Sequence, residues 1–141
     1  MKFVIDANIL FAALIKGGLT AELIISDELQ LFAPEFLLEE FSKYQAQILE
    51  RTHRSKENFE TFVQILKEYI TFIPQKNIIL FLEKANAFSP DPKDSVYLAL
   101  ALALKSAVWS NDKKLKEEQN HVKVLSTEDL INKIKILKKN K

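Results

Sequence analysis

The chain has no cysteine in its 141 residues. Disulfides, thiolate zinc sites, iron–sulfur clusters and a cysteine nucleophile are thereby excluded together. Histidine is nearly absent: His53 and His121 are the only two, too few for a multi-histidine metal centre. The only two glycines, Gly17 and Gly18, are adjacent, so neither a Walker loop nor a GxGxxG dinucleotide loop can be built. Charge of one sign is also missing. Lys plus Arg number 20 and Asp plus Glu 19, for a formal net charge of +1, so no global field advertises nucleic acid or a strongly charged partner. The longest apolar stretch, Val96 to Leu104, is too short to cross a bilayer. Asp6 interrupts the first apolar residues too early for a signal peptide. Cytoplasmic residence and no membrane partner are the expectation. Carboxylates, lysines and hydroxyls are what remain for chemistry.

What is there suits one globular domain over residues 1–141. Hydrophobic residues make up 48% and charged residues 28%, which sets the chain apart from disordered sequences. Phe3-Val4-Ile5, closed by Asp6, reads as a buried strand. A helix follows from Asn8 to Ile15 and stops near Gly17-Gly18, and Thr20 is placed to cap a second short helix through Ile25. Leu29 to Ala33 reads as a strand, with Pro34 in the first turn of the next helix. That helix carries Leu37, Phe41, Tyr44 and Ile48 on one stripe, and a second stripe follows at Phe59, Phe62, Val63 and Leu66. These two helices form an inserted α-hairpin before a short strand, Thr71-Phe72-Ile73, closed by Pro74. Ile78 to Phe88 is an amphipathic helix broken by Ser89-Pro90-Asp91-Pro92. Ser95 to Lys105 is apolar nearly all round, as a buried helix is. Ala107 to Ser110 and Val122 to Leu125 read as strands, with a short helix from Asp112 to Glu118 between them. Ser126 caps a last helix through Leu137. Alternating strands and helices predict an α/β fold with a mainly parallel sheet.

In such sheets, sites form at the carboxyl ends of strands. That edge would receive Asp6, Ser110-Asn111-Asp112, Asp94 at the start of the buried helix, and Glu39-Glu40 in the helix after the second strand. Each acid also has a plainer role open to it. Asp6 can cap the helix after it, and Asp91 with Pro92 makes a capping start in which Asp94 sits three residues on. Asp112 can be a first-turn acid favoured by the helix dipole, and Glu39 and Glu40 a solvated pair. What those roles do not account for is the recurrence of acids at strand ends and helix starts, each beside apolar sequence. Converging carboxylates raise one another's pKa values unless a cation neutralises them, and oxygen-only donors suit Mg²⁺ or Mn²⁺.

These segments resemble the PIN-domain family, the fold of the VapC-type toxin ribonucleases. Val4-Ile5-Asp6-Ala7-Asn8 is similar to its hydrophobic-hydrophobic-Asp-x-Asn opening. Leu31 to Tyr44 resembles its strand-to-helix segment carrying a Glu. Asp94 to Ala101 resembles its Asp-led helix of small and apolar residues, and Trp109 to Leu115 its last motif, a hydroxyl residue followed by x-Asp. The segment order matches over nearly the whole chain, although the specific matches cover only some thirty residues. The resemblance implies a three-layer α/β/α fold and hydrolysis of RNA phosphodiester bonds assisted by Mg²⁺ or Mn²⁺. It implies metal-binding acids at Asp6, Glu40, Asp94 and Asp112, with Asn8, Ser110 and Asn111 orienting them. Glu40 is preferred to Glu39 because Phe41 follows it, and Asp94 to Asp91 by its distance to the apolar helix. A homodimer is implied, and an antitoxin if the protein belongs to a toxin–antitoxin pair.

Lys93, Lys113 and Lys114 flank the acids and could meet phosphates. Lys133, Lys135, Lys138, Lys139 and Lys141 read better as a solvated helix end, and Trp109 as core rather than a base-stacking platform. Two other classes compete. The chain could be an inactive PIN-like binding or assembly module, against which all four acids are present. It could be an Asp-based phosphotransfer enzyme, but the dehalogenase-like pattern wants Asp-x-Asp and here the third residue is Asn8. Metal-dependent RNA cleavage lost on Asp6→Asn would separate the nuclease from the module, and acetyl phosphate modification of Asp6 would favour phosphotransfer.

Overall fold

The computed structural model describes residues 1–139; Lys141 lies outside the described residues. Its centre is a sheet of five strands, β1 (Lys2–Ile5), β2 (Gln30–Pro34), β3 (Ile70–Ile73), β4 (Ala107–Trp109) and β5 (Val124–Leu125). The spatial order is β3-β2-β1-β4-β5 and every pairing is parallel. The chain winds one way from β1 through β3 and then returns to β1's other side with β4. Between β1 and β4 lies the switch point, where α/β sheets open a crevice beyond their carboxyl ends.

Strand residues are buried on both faces, as parallel sheets require. Phe3 and Ile5 of β1 join Leu31, Trp109 and Leu125 in one core, while Val4 joins Val108 and Val124 in the other. The first core is closed by α1 (Ala7–Lys16), α2 (Gly18–Ile24), α3 (Phe36–Lys43), α4 (Gln45–Thr52), α5 (Lys56–Tyr69) and α9 (Thr127–Lys139). The second is closed by α6 (Ile79–Phe88), α7 (Ser95–Leu104) and α8 (Lys113–Glu117). The result is the three-layer α/β/α arrangement. No helix among the described residues is long and apolar enough to cross a membrane.

The apolar helix from Ser95 is α7, which buries Tyr97 through Ala101 between α6 and the sheet. Gly17 and Gly18 both have positive φ, 62° and 59°, at the joint of α1 and α2. Side chains there would be strained, which is why the only glycines sit at this turn.

Local expectations are corrected at four places. Thr20 does not cap α2; the helix begins two residues earlier, at Gly18, because the glycine pair already supplies the turn. Pro34 ends β2 instead of opening α3. Pairing of β1 with β2 stops at Val4–Phe32, so no neighbour asks Pro34 for the N–H it lacks. On the other side the Glu35 amide donates to the Ile73 carbonyl at 3.0 Å. The helix expected from Leu37 to Ile48 is two, because the backbone leaves helical geometry at Tyr44 (φ −102°, ψ 17°). Leu37, Phe41 and Ile48 stay buried while Tyr44 is 40% exposed. The α-hairpin is therefore a three-helix excursion, α3 to α5. Finally, β4 ends at Trp109 and releases Ser110 into the loop.

Candidate active site

Ile5 and Trp109 are register partners on β1 and β4, so the residues after them leave the sheet side by side. The Asp6 amide donates to the Trp109 carbonyl at 3.1 Å. The Ser110 hydroxyl donates to Asp6 Oδ2 at 2.6 Å and accepts the Asp112 amide at 3.1 Å. One buried hydroxyl thus ties the first acid to the loop carrying the last. Ser110 is 1% exposed and Asp6 5%.

Asp6 stands at the N-cap position of α1 but makes no capping hydrogen bond with its side chain. The capping role open to it in the sequence is not the one its carboxylate takes. Burial raises its pKa above the usual carboxylate range; the Ser110 hydroxyl and the nearby Asn8 amide oppose the shift, and the charge of Asp112 adds to it. Asp94 is likewise a cap by position and not by bonding. Burial, then the charges of Asp6, Asp112 and Asp91, push it up to about 6 against the pull of Lys114. Glu40 is raised by burial, held back by Lys43 and Lys93, and raised again by Asp6. Asp6 therefore interacts electrically with acids from three other segments of the chain.

All of them line one cleft of about 1030 Å³ at the carboxyl edge of the sheet. Glu39 and Asp91 line it too, but differently. Glu39 is exposed, whereas Glu40 is half-buried. Asp91 is exposed and its carboxylate caps the turn Pro92–Asp94 by accepting the Lys93 amide at 2.9 Å. Asp112 does double duty. Its Oδ1 caps α8, accepting the amides of Lys114 at 2.9 Å and Leu115 at 3.3 Å. Its Oδ2 accepts no hydrogen bond among the described residues.

The supporting residues divide. Ser110 bonds Asp6 directly; Asn8 lines the cleft and acts on Asp6 through its backbone N–H, with no side-chain bond to the acids among the described residues. Asn111 does not face the acids. Its side-chain amide donates to Thr127 Oγ1 at 3.0 Å, and its Oδ1 accepts the Thr127 amide at 2.8 Å. It is diverted because α9 starts beside the loop and offers an unsatisfied N–H. Thr127 Oγ1 also accepts Trp109 Nε1 at 3.0 Å, with Trp109 fully buried in the core. Of the flanking lysines, Lys93 lines the cleft and Lys114 acts on Asp94, while Lys113 is not part of its lining.

Sequence reasoning missed Thr127 and Tyr97. Tyr97 lies one turn after Asp94, lines the cleft and is 5% exposed. The i to i+3 spacing from Asp94 was the available signal, but a tyrosine inside an apolar helix reads as core.

The donor set is oxygen-only and mutually repulsive, which suits a hard divalent cation. Among the described residues no three His, Asp or Glu side chains stand close enough to enclose an ion. A divalent ion such as Mg²⁺ bound here would take one or two of these carboxylates and complete its shell with waters and substrate phosphate. The residues therefore fit a divalent ion held partly by its substrate.

A PIN-domain family model matches residues 4–135. No curated protein matches the chain. Among solved structures, the crystal structure of VapBC2 from Rickettsia felis, bound to a DNA fragment from their promoter, aligns with a TM-score of 0.67 at 13% identity. The alignment covers 89% of this chain and 98% of that one. At that identity the likeness speaks for the fold.

Proposed function

The chain belongs to the PIN-domain family of nucleases, and from that premise we propose that it is a divalent-metal-dependent endoribonuclease. The observation that carries the reading is Asp6: a buried carboxylate at the switch point, bonded to Ser110 and lining one cleft with Glu40, Asp94 and Asp112. Such mutual repulsion is costly without a cation.

Asp6 and Asp94 are the core ligands in this reading, Asp112 contributes its free oxygen, and Glu40 holds a ligating water or a second ion. The ion, Mg²⁺ or Mn²⁺, would lower the pKa of a water and steady the charge developing on phosphate and leaving group. Ser110 keeps the Asp6 carboxylate turned into the cleft, and Asp112's cap fixes the loop that presents it. Lys43 and Lys93 stand at the Glu40 side of the cleft and Lys114 near Asp94. These cations offer the phosphate contacts that the chain's near-zero net charge does not advertise. Phe36 and Tyr44, each 40% exposed at the cleft, add apolar surface that a bound strand or a protein partner can cover.

The test is cleavage of single-stranded RNA by the purified protein with Mg²⁺ or Mn²⁺, with and without EDTA. Cleavage that EDTA stops and Asp6→Asn abolishes, with the variant still folded by circular dichroism, supports the reading. A folded protein that cuts nothing with either ion overturns it and leaves a binding module. VapBC2 is a complex on promoter DNA, and by analogy a homodimeric toxin restrained by an antitoxin is the physiological setting proposed. An adjacent gene whose product binds the chain and stops cleavage would support that setting.

A further inference from the structure

A buried polar group away from the cleft shows what full satisfaction looks like. Gln119, the buried amide near α8, donates to the Leu115 and Val122 carbonyls and accepts the His121 and Val122 amides. Tyr97 is different. Its hydroxyl oxygen is fully enclosed and meets no hydrogen-bond partner among the described residues. A phenol so placed loses its bond to water and gains nothing, which is costly in a folded protein. Two other hydroxyls share this condition, Ser95 and Ser106, and Ser95 also lines the cleft. Two of the three, Ser95 and Tyr97, thus stand at the start of α7 beside Asp94 and line the cleft, while Ser106 lies past the helix's other end.

The surroundings say what the hydroxyl would bond. The charges of Asp6, Glu40 and Asp94 all act on Tyr97, and with burial they hold its pKa far above the ordinary phenol range. Its hydroxyl is a neutral donor, and the acceptors Asp6, Glu40 and Asp94 line the same cleft. Tyr97 and Asp94 lie one turn apart on α7, while Glu40 comes from α3 across the cleft.

We propose that Tyr97 is a positioning residue whose hydroxyl donates to a cleft carboxylate, or to a water that the carboxylate holds, once a divalent ion draws the acids together. This rests on the metal-dependent reading above. The donor then fixes the orientation of an acceptor lone pair on a ligating group. Hydrogen-bonding partners of ligating carboxylates typically change metal affinity about 10–100-fold.

The test compares Mn²⁺ binding by the intact protein, Tyr97→Phe and Asp6→Asn, read by electron paramagnetic resonance of free Mn²⁺ and by the Mn²⁺-induced rise in Tm. Tyr97→Phe removes one oxygen and keeps the ring. It is expected to unfold at the same temperature or slightly higher without metal, since an unbonded buried hydroxyl is gone. With Mn²⁺ it should bind about 10-fold more weakly or worse, and gain a smaller Tm rise. A merely structural hydroxyl would lower Tm equally with and without the ion, and that result overturns the proposal. So does unchanged Mn²⁺ affinity in Tyr97→Phe when Asp6→Asn has lost binding. If the unaltered protein binds no Mn²⁺, the metal-dependent reading falls and this inference falls with it.

Discussion

Asp94 and Asp129 both stand at the start of a helix, and the fold treats them in opposite ways. Asp129, in the first turn of α9, completes a reciprocal cap: the Ser126 amide donates to its Oδ2 at 2.9 Å and its own amide donates to the Ser126 hydroxyl at 3.1 Å. Lys116 Nζ reaches the same oxygen at 2.6 Å. The lysine and Ser126 hold the Asp129 carboxyl down to about 2. Asp94 receives no capping bond and is pushed up to about 6 by burial and by three other acids. The first carboxylate is answered by the protein itself; the second is surrounded by groups that need the same answer. Carboxylates in that second condition cluster where chemistry is done, because their neutralisation is left to something that binds.

The sharpest way to break this comparison is Asp94→Asn. On the proposed reading, in which Asp94 is a ligand, it should cut RNA cleavage roughly 10³-fold, while Asp129→Asn should leave the cleavage rate within about 2-fold, measured on the same substrate. Equal losses would erase the distinction. Ser110→Ala should come next. It removes the donor to Asp6 and the acceptor for the Asp112 amide, lowering cleavage about 10–100-fold and stability by about 1–2 kcal/mol in urea unfolding. Glu40→Gln should lower cleavage by about 10-fold and Glu39→Gln hardly at all, because only Glu40 is half-buried and coupled to Asp6. A reversed pair would reassign the helix α3 ligand.

The smallest effects lie in stability against pH, and their signs should be opposite. Asp94 has a raised pKa in the fold, so its contribution is fully present below about pH 4 and is lost as pH rises through about 6. Asp94→Asn should match the metal-free protein below pH 4 and exceed it at pH 8 by about 1 kcal/mol, allowing for screening at a half-exposed site. Asp129 has a depressed pKa, so its contribution is present above about pH 4 and fades as pH falls through about 2. Asp129→Asn should therefore be less stable at pH 7 by about 1 kcal/mol, mostly from the weakened cap and ion pair. Thermal unfolding from pH 2 to pH 8 reads both.

Much of this was legible in the residues. Short apolar runs and period-3.6 patterning located the strands and most helices, and the rule for the sheet's carboxyl edge directed attention to Asp6, Asp112, Glu39-Glu40 and, at the start of the buried helix, Asp94. What escaped depends on rotations that patterning does not carry. Tyr44 shares a helical stripe with Leu37 and Phe41, but a break of the backbone at that residue leaves its ring at the cleft. Asn111 sits between Ser110 and Asp112, yet its amide turns to Thr127, 16 residues away. Tyr97 reads as core because nearly all of it is core; its place in the cleft lining and its unbonded hydroxyl show only in the fold. Glu40 over Glu39 followed from a neighbouring apolar residue, and the two differ in the structure by burial.

Thr127 accepts both Trp109 and Asn111, and Asp6 takes its hydroxyl partner from 104 residues further on. The order of synthesis gives these links a consequence. The first acid leaves the ribosome early, but its partner follows only after most of the chain, and the residue that braces the acidic loop comes later still. Contacts so distant along the chain form late in folding. A growing polypeptide therefore lacks the assembled cleft until α9 begins to emerge, and a product cut short before Ser110 carries Asp6, Glu40 and Asp94 without the hydroxyl and loop that tie the first acid to that edge.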